Sequence, residues 1–434
     1  MIEMPAVVGN VVRSVGLSTA MRAAGVVTGL LPIPQPLLLV GPGSSRRLGE
    51  AISGFGHRKV LIVTDRVIAD MGLPAALTGA LSAGGTAFAV FDAVTADAPI
   101  PLIEKGIAFY RKQGCDAVVA FGGGSPMDAA KAIALAVANN KHPRQLAGYF
   151  KGLRAPVPIY AVPTTAGTGS EVTVAAVVSD PKTHRKLVIA DTRLVPQMAA
   201  LDPSLMTGLP PQVTAATGMD ALTHAVEAFI GHWATGYTDR MALAAVGLIY
   251  ANLPVAYRKG RNLAARENMA VAATYAGLAF TRANVGYVHA IAHQLGGRYH
   301  TPHGLANAIM LPHVLGFLAP AITKRLAVLA VRAGVGQEGE RASVLARKFL
   351  DSVEALSREL GIPRHLDALR EADIPELARA ACWEADTNYP VPRYMSPATC
   401  EGLLRAVLPT AGSAPVRARR GPRRAGSRAA AGTG

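Results

Sequence analysis

Cysteine is scarce in this chain. Cys115, Cys382 and Cys400 stand far apart and form no CxxC pair. That removes both a disulfide framework and a thiolate metal cluster, and it favours a reducing compartment, the cytoplasm. Long apolar runs are also missing: none reaches the about 18 uncharged residues that would span a bilayer, so no membrane segment is expected. The beginning, MIEMPAVVGNVVRSVGLSTAMRAAGVVTGLL, lacks a compact apolar segment followed by a small-residue cleavage site, so residues 1–34 read as a retained extension, an amphipathic helix. Acidic residues are outnumbered, leaving a formal charge of +15. Six arginines of that excess sit in VRARRGPRRAGSRAAAGTG with no acid among them, so residues 411–434 are expected to be a disordered basic tail. A polyanion-binding arm is the alternative. The tail has no aromatic residue to stack on bases, and nucleic-acid binding is not expected.

What the chain does have is alternation. Half of its residues are hydrophobic, enough for a large core divided between two domains. Across residues 35–209, short runs such as KVLIVTD, TAFAVFD, DAVVAFGGG and VPIYAVPTT are separated by longer helical stretches. This is the pattern of βαβ units and a mainly parallel sheet. From 210 to 410 strand-like runs disappear and Ala/Leu-rich helical segments take over. The expected fold is an α/β Rossmann-like domain at the N-terminal side followed by an all-α C-terminal domain.

Two loops in the first part suit a phosphorylated cofactor. FGGGSPMDAAKAIA follows a strand and opens a helix, so Gly123, Gly124 and Ser125 would offer amide donors at a helix N-terminus, where a pyrophosphate binds well. A plain tight turn is the alternative, since the run is not GxGxxG. VPTTAGTGSEVT adds the hydroxyls of Thr164, Thr165 and Thr168. Asp65, ending KVLIVTD, could accept hydrogen bonds from an adenosine ribose and so favour NAD over NADP, or simply cap the next helix.

The helical part carries a metal-like constellation. Asp220 and His224 are four apart in a helical context and leave the same face. Downstream, His289, His293, His300, His303 and His313 crowd into 25 residues of a chain with only 11 histidines, a density that chance does not explain well. Three imidazoles and a carboxylate suit Fe(II) or Zn(II).

Together these segments resemble the iron-containing (group III) alcohol dehydrogenase family. The resemblance rests on GGGSPMDAAKAIA, PTTAGTGSEVT, THRKLVI, ATGMDALTHAVEAFI and GYVHAIAHQLGGRYHTPHGLANAIMLPH, and it extends over residues 35–408. It implies the dehydroquinate synthase-like architecture of that family, with Asp220, His224, His289 and His303 as metal ligands. It also implies that Asp65, Gly123, Gly124, Ser125, Thr164, Thr165, Thr168 and Lys186 contact NAD, and that Phe280 lines an alcohol pocket. His293 is placed beside the nicotinamide, outside the ligand set. His300 and His313 have no ligand counterpart and are taken as structural, and Glu227 is taken as a supporting acid rather than a ligand. The chain departs from the family where Asp97-Ala98 replaces a frequent Asn-Pro pair, and at both ends, which extend beyond the usual span.

The implied reaction is hydride transfer between NAD and a small primary alcohol, diol or aldehyde, with Fe(II) or Zn(II) as Lewis acid. His293, one helical turn from His289, is expected to conduct the proton, or else to pack against the nicotinamide. Self-association, most often as a dimer, is implied as well. Two rivals remain: a zinc-dependent polyol dehydrogenase of the same fold, against which the four ligand positions argue, and a catalytically silent binding protein, against which the intact cofactor loops argue. Which alcohol is used does not follow from the residues.

Overall fold

The computed structural model describes residues 31–409 apart from His184 and the side chain of Arg185, together with Met21 and Gly25. The helix expected within residues 1–34 lies mostly outside the described residues, and the basic tail of 411–434 lies wholly outside them. Among the described residues there are nine strands: β1 (Leu37–Val40), β2 (Lys59–Asp65), β3 (Ala87–Val94), β4 (Ala117–Gly122), β5 (Gly148–Tyr149), β6 (Ile159–Pro163), β7 (Ala175–Asp180), β8 (Arg185–Ala190) and β9 (Met198–Leu201). Between them run α1 (Ser44–Gly54), α2 (Arg66–Asp70), α3 (Ala75–Ala83), α4 (Ile100–Gln113), α5 (Gly124–Asn139) and α6 (Pro143–Leu146).

Six strands form one sheet in the order β1-β9-β6-β4-β2-β3, with every pairing parallel. Helices cover both faces, and this accounts for the sequence of β4, AVVAFG, which is buried at every position and shows no alternation. Leu61, Val118 and Ile133 belong to the core on one face, Leu48, Ile62 and Val119 to the core on the other. The alternation of strand and helix thus yields the expected parallel α/β architecture.

One element was not anticipated. AAVVSD and RKLVIA pair as an antiparallel β7–β8 hairpin, and with β5 they make a small second sheet. β7 alternates between buried and half-buried side chains, as a strand covered on one face does. This hairpin carries Lys186.

Among the described residues strands end at Leu201, and the remainder is helical: α7 (Pro211–Ile230), α8 (Gly236–Arg258), α9 (Leu263–Ala283), α10 (Tyr287–Tyr299), α11 (His303–Arg332), α12 (Ala342–Glu359), α13 (Ile374–Asn388) and α14 (Pro397–Arg405). By length and composition α8 and α11 are apolar enough to cross a membrane. Their apolar faces instead pack inward, with Ala245, Ile249 and Leu253 of α8 and Leu311, Leu315 and Leu326 of α11 in a single helical core. α11 bends at Ile322 (φ −124°, ψ 19°), two residues after Pro320, whose ring nitrogen cannot donate to the preceding turn.

Lys131 ties the two parts of the structure together. It is fully buried on α5, and its ammonium contacts the carbonyls of Ser170 (2.6 Å), Thr173 (2.9 Å) and Ala175 (3.0 Å) and the hydroxyls of Ser170 (3.1 Å) and Thr173 (2.8 Å). The segment it holds lies against α9. Gly169 has φ +60°, and a Cβ there would stand 2.7 Å from the Gly277 Cα, so the two backbones touch.

Candidate functional site

α7 brings Asp220 and His224 out on one face, α10 contributes His289, and α11 begins with His303. One ligand atom from each of the four lies within 4.8 Å of all the others. The approach of α11 to α7 depends on Gly304, because a Cβ there would stand 2.5 Å from the Ala216 carbonyl oxygen and 3.3 Å from the Asp220 Cβ. His300 closes α10 in a left-handed conformation (φ 54°) and turns the chain through Thr301-Pro302 into α11.

Burial sets the protonation of this cluster. It drives the His289 imidazole well below its ordinary range, with the neighbouring imidazoles adding to the effect. It also lowers His224, and it pushes His303 down to about 3, in both cases against the pull of the Asp220 carboxylate. Neutral imidazoles present lone pairs, which is the form that binds a metal. Glu227 orients one of them. Its carboxylate accepts from the Val288 N–H (2.8 Å) and meets His289 Nδ1 at 2.5 Å, leaving His289 Nε2 turned inward. Burial raises the Glu227 carboxyl to about 7 even against its backbone donors.

Asn307, one turn beyond His303, reveals where these groups point. Its Nδ2 lies 2.7 Å from Asp220 Oδ1 and 3.2 Å from both His289 Nε2 and His303 Nε2. Three acceptors therefore converge on one place. His224 Nδ1 is buried with no hydrogen-bond partner, 4.0 Å from Asp220 Oδ2. An orphaned nitrogen beside a carboxylate and two inward-facing imidazoles is costly unless something positive satisfies it. The donor set fits a divalent cation of borderline N/O preference.

The cluster opens into a cleft of about 2290 Å³ that reaches the carboxyl ends of the parallel strands, and Gly123, Gly124, Ser125, Thr165, Thr168 and Lys186 line it. Carboxyl ends of strands are where ligands settle in open α/β sheets. The glycine loop is tightly made. Gly122 has φ +150°, and a Cβ there would meet Pro126 Cγ at 2.6 Å, while a Cβ on Gly124 would stand 3.1 Å from Thr168 Cγ2. The Asp97 N–H donates to Ser125 Oγ (3.2 Å), and the Asp97 carboxylate pairs with the Lys186 ammonium at 2.9 Å. Asp97 and Ala98 both have positive φ, 63° and 42°.

Asp65 and Thr164 are not on the cleft wall. Asp65 caps α2, accepting from the Ile68 N–H at 2.9 Å, and Thr164 is buried with its N–H on the Gly122 carbonyl (3.1 Å). Phe280 does face the cleft, its ring stacked on His224 with centroids 4.2 Å apart. His293 also lines it, stacked on His303 at 5.3 Å. His300 lies on the wall and His313 does not.

Sequence reasoning missed Glu384. His293 Nδ1 lies 2.6 Å from its Oε1, which also accepts from the Tyr389 hydroxyl (2.7 Å), while Gln294 donates to its Oε2 (2.7 Å). Burial would raise this carboxyl, but His293 and the hydrogen bonds hold it below the usual range. Ninety-one residues separate the partners, and no local pattern links them. Asn307 was also missed, although it sits four residues after His303 on the same helix face and was open to the rule that singled out His224.

Comparison with known proteins agrees with this geometry. Residues 36–203 match the family described as "Iron-containing alcohol dehydrogenase", and residues 214–408 match "Fe-containing alcohol dehydrogenase family, C-terminal". The chain is 43% identical to a 1,3-propanediol dehydrogenase of Klebsiella pneumoniae over 79% of its own length and 89% of that protein. It is 38% identical to a lactaldehyde reductase of Escherichia coli K12, over 79% and 90% of the two chains. A crystal structure of 1,3-propanediol oxidoreductase superposes with a TM-score of 0.84 at 38% identity, covering 87% of this chain and all of that one.

Proposed function

The chain belongs to the iron-containing alcohol dehydrogenase family, and from that premise we propose that it interconverts a small primary alcohol or diol and its aldehyde with NAD. The division of labour is a cofactor domain over residues 35–209 and a metal domain over 210–410. Asp220, His224, His289 and His303 hold the divalent metal, Fe(II) by kinship with Zn(II) as the alternative. The observation that carries this reading is the convergence of four donor atoms within 4.8 Å inside the cleft that the glycine loop also lines. When bound, the metal polarises the oxygen of the alcohol or carbonyl and the nicotinamide accepts or delivers the hydride.

The chain's own residues bind and orient. Gly123, Gly124 and Ser125, at the start of α5, offer backbone N–H groups to the pyrophosphate, where the helix dipole favours negative charge. Thr165, Thr168 and Lys186 border the same stretch of the cleft. Asp65 and Thr164 stand off the cleft wall, Asp65 capping α2 and Thr164 donating its N–H to the Gly122 carbonyl of the glycine loop. Phe280 presents an apolar surface to the carbon chain of the substrate. His293 keeps its Nδ1 on Glu384, so its Nε2 is the nitrogen available to take up or return the hydroxyl proton. The free, buried cysteines are in keeping with a cytoplasmic enzyme, and we take it to self-associate as a dimer, the state that the resemblance implies.

The test is anaerobic purification, metal analysis, and NADH oxidation with a panel of short aldehydes, before and after chelation and repletion with Fe(II) or Zn(II). One metal per chain, loss of activity on chelation and best recovery with Fe(II) are the expected results. Folded protein that binds neither metal nor NADH would end the dehydrogenase reading.

A further inference from the structure

The family match begins at residue 36, yet residues before it reach into the cleft: Met21, Leu31 and Ile33 line it together with Trp233, Phe280 and Arg282. Specific contacts hold this segment. The Trp233 indole N–H donates to the Met21 carbonyl (2.8 Å), and a Cβ on Gly25 would stand 2.5 Å from the same indole, so the backbone lies directly on the ring. Arg282 donates to the Ile33 carbonyl (2.9 Å) while its guanidinium sits over the Tyr237 ring at 5.6 Å, and the Gln35 amide donates to the Tyr237 hydroxyl (2.7 Å). The anchors are the turn after α7 and the end of α9, the helices that carry His224 and Phe280. Met21, Leu31 and Ile33 add apolar side chains to the cleft that Phe280 also lines.

Resting on the dehydrogenase reading above, we propose that Met21, Leu31 and Ile33 form the distal wall of the substrate pocket and select primary alcohols and aldehydes that carry an apolar chain. The physical argument is one of area. A substrate whose oxygen end sits at the metal cluster extends past Phe280 toward Met21, Leu31 and Ile33, and each methylene buried there favours binding by about fourfold. The second hydroxyl of a short diol gains nothing from such a wall and loses its water.

The experiment uses the full chain. Values of kcat/KM are measured with acetaldehyde, butanal, hexanal and 3-hydroxypropanal for the parent protein and for Leu31→Ser/Ile33→Ser. The parent should favour hexanal over acetaldehyde, and the double variant should lower that ratio at least tenfold. A second readout does not need turnover or the double variant to fold. The chain has two tryptophans, so Trp383→Phe leaves Trp233 as the sole indole reporter. Its emission should shift on addition of 1-hexanol and not with equal concentrations of 1,3-propanediol. Turnover with an unchanged chain-length ratio in the double variant overturns the wall and leaves the dehydrogenase intact. So does a Trp233 that ignores hexanol. A Trp233 response in a protein that reduces no aldehyde supports the wall and removes the dehydrogenase.

Discussion

Asn307 and Glu384 show what single residues contribute around the ligand cluster. The Asn307 amide spans Asp220, His289 and His303, so it fixes how far apart their acceptors stand. Asn307→Ala is expected to weaken metal binding by about 10- to 100-fold, the usual cost of losing a group that orients ligands. Competition against a chelator of known affinity measures this, and unchanged affinity would reduce Asn307 to a bystander. Glu384 acts on His293 and not on the ligands. Glu384→Gln keeps the shape but replaces a charged acceptor, and it should lower kcat about tenfold while bound metal stays constant. A matching loss of metal would place Glu384 among the supports of the metal site. At this scale the histidine cluster and the Asp220–His224 spacing were legible in the sequence, because four-residue spacing on a helix is a local property. The His293–Glu384 pair was not, since α10 and α13 meet only in the folded chain.

Among the elements, α5 has the clearest energetic role. Lys131 shares three ammonium protons among five oxygens from the segment 170–175, with Asp128 and Glu171 as its acidic neighbours. Lys131→Met takes the shared donor from those carbonyls and the neighbouring positive charge from Asp128, which keeps the Ser170 hydroxyl, and should cost about 3–5 kcal/mol, read from urea unfolding. A loss under about 1 kcal/mol would mean that the segment repairs itself. The pH dependence has a definite sign. Burial lowers the Lys131 ammonium from 10.5 to about 8, outweighing Asp128 and Glu171. Between these values the unfolded chain holds this proton and the folded chain does not, so the contribution of Lys131 to stability rises with pH across that window. The gap between parent and Lys131→Met should therefore widen from about pH 8 to 10. The β-strands buried on both faces were readable as apolar runs between helices. The β7–β8 hairpin, whose Val177, Lys186 and Val188 line the cleft, was not, because two short strands of mixed burial carry little periodic signal.

On the scale of the whole molecule, the two family matches span residues 36–203 and 214–408. Ending the chain after residue 409 removes the arginine-rich stretch and should leave kcat within about twofold, since the family match ends at residue 408 and chain ends are where change is best tolerated. Loss of turnover would tie the tail to catalysis, and a drop in association with heparin would mark it as a polyanion-binding arm. The alternation of strands and helices and the glycine loop at the end of β4 were legible in the sequence alone, because each depends on periodicity or spacing within a few turns of one element, whereas the choice of Asp220, His224, His289 and His303 among the crowded histidines came from the family resemblance. Only the tertiary structure decided that Asp220, His224, His289 and His303 converge, that Asp65 caps a helix and stands off the cleft wall, and that Met21, Leu31 and Ile33 border the cleft. These facts depend on contacts between residues far apart in the chain. Such contacts are chosen by packing, through close approaches like those at Gly304 and Gly169, and packing leaves no local trace in the order of the amino acids.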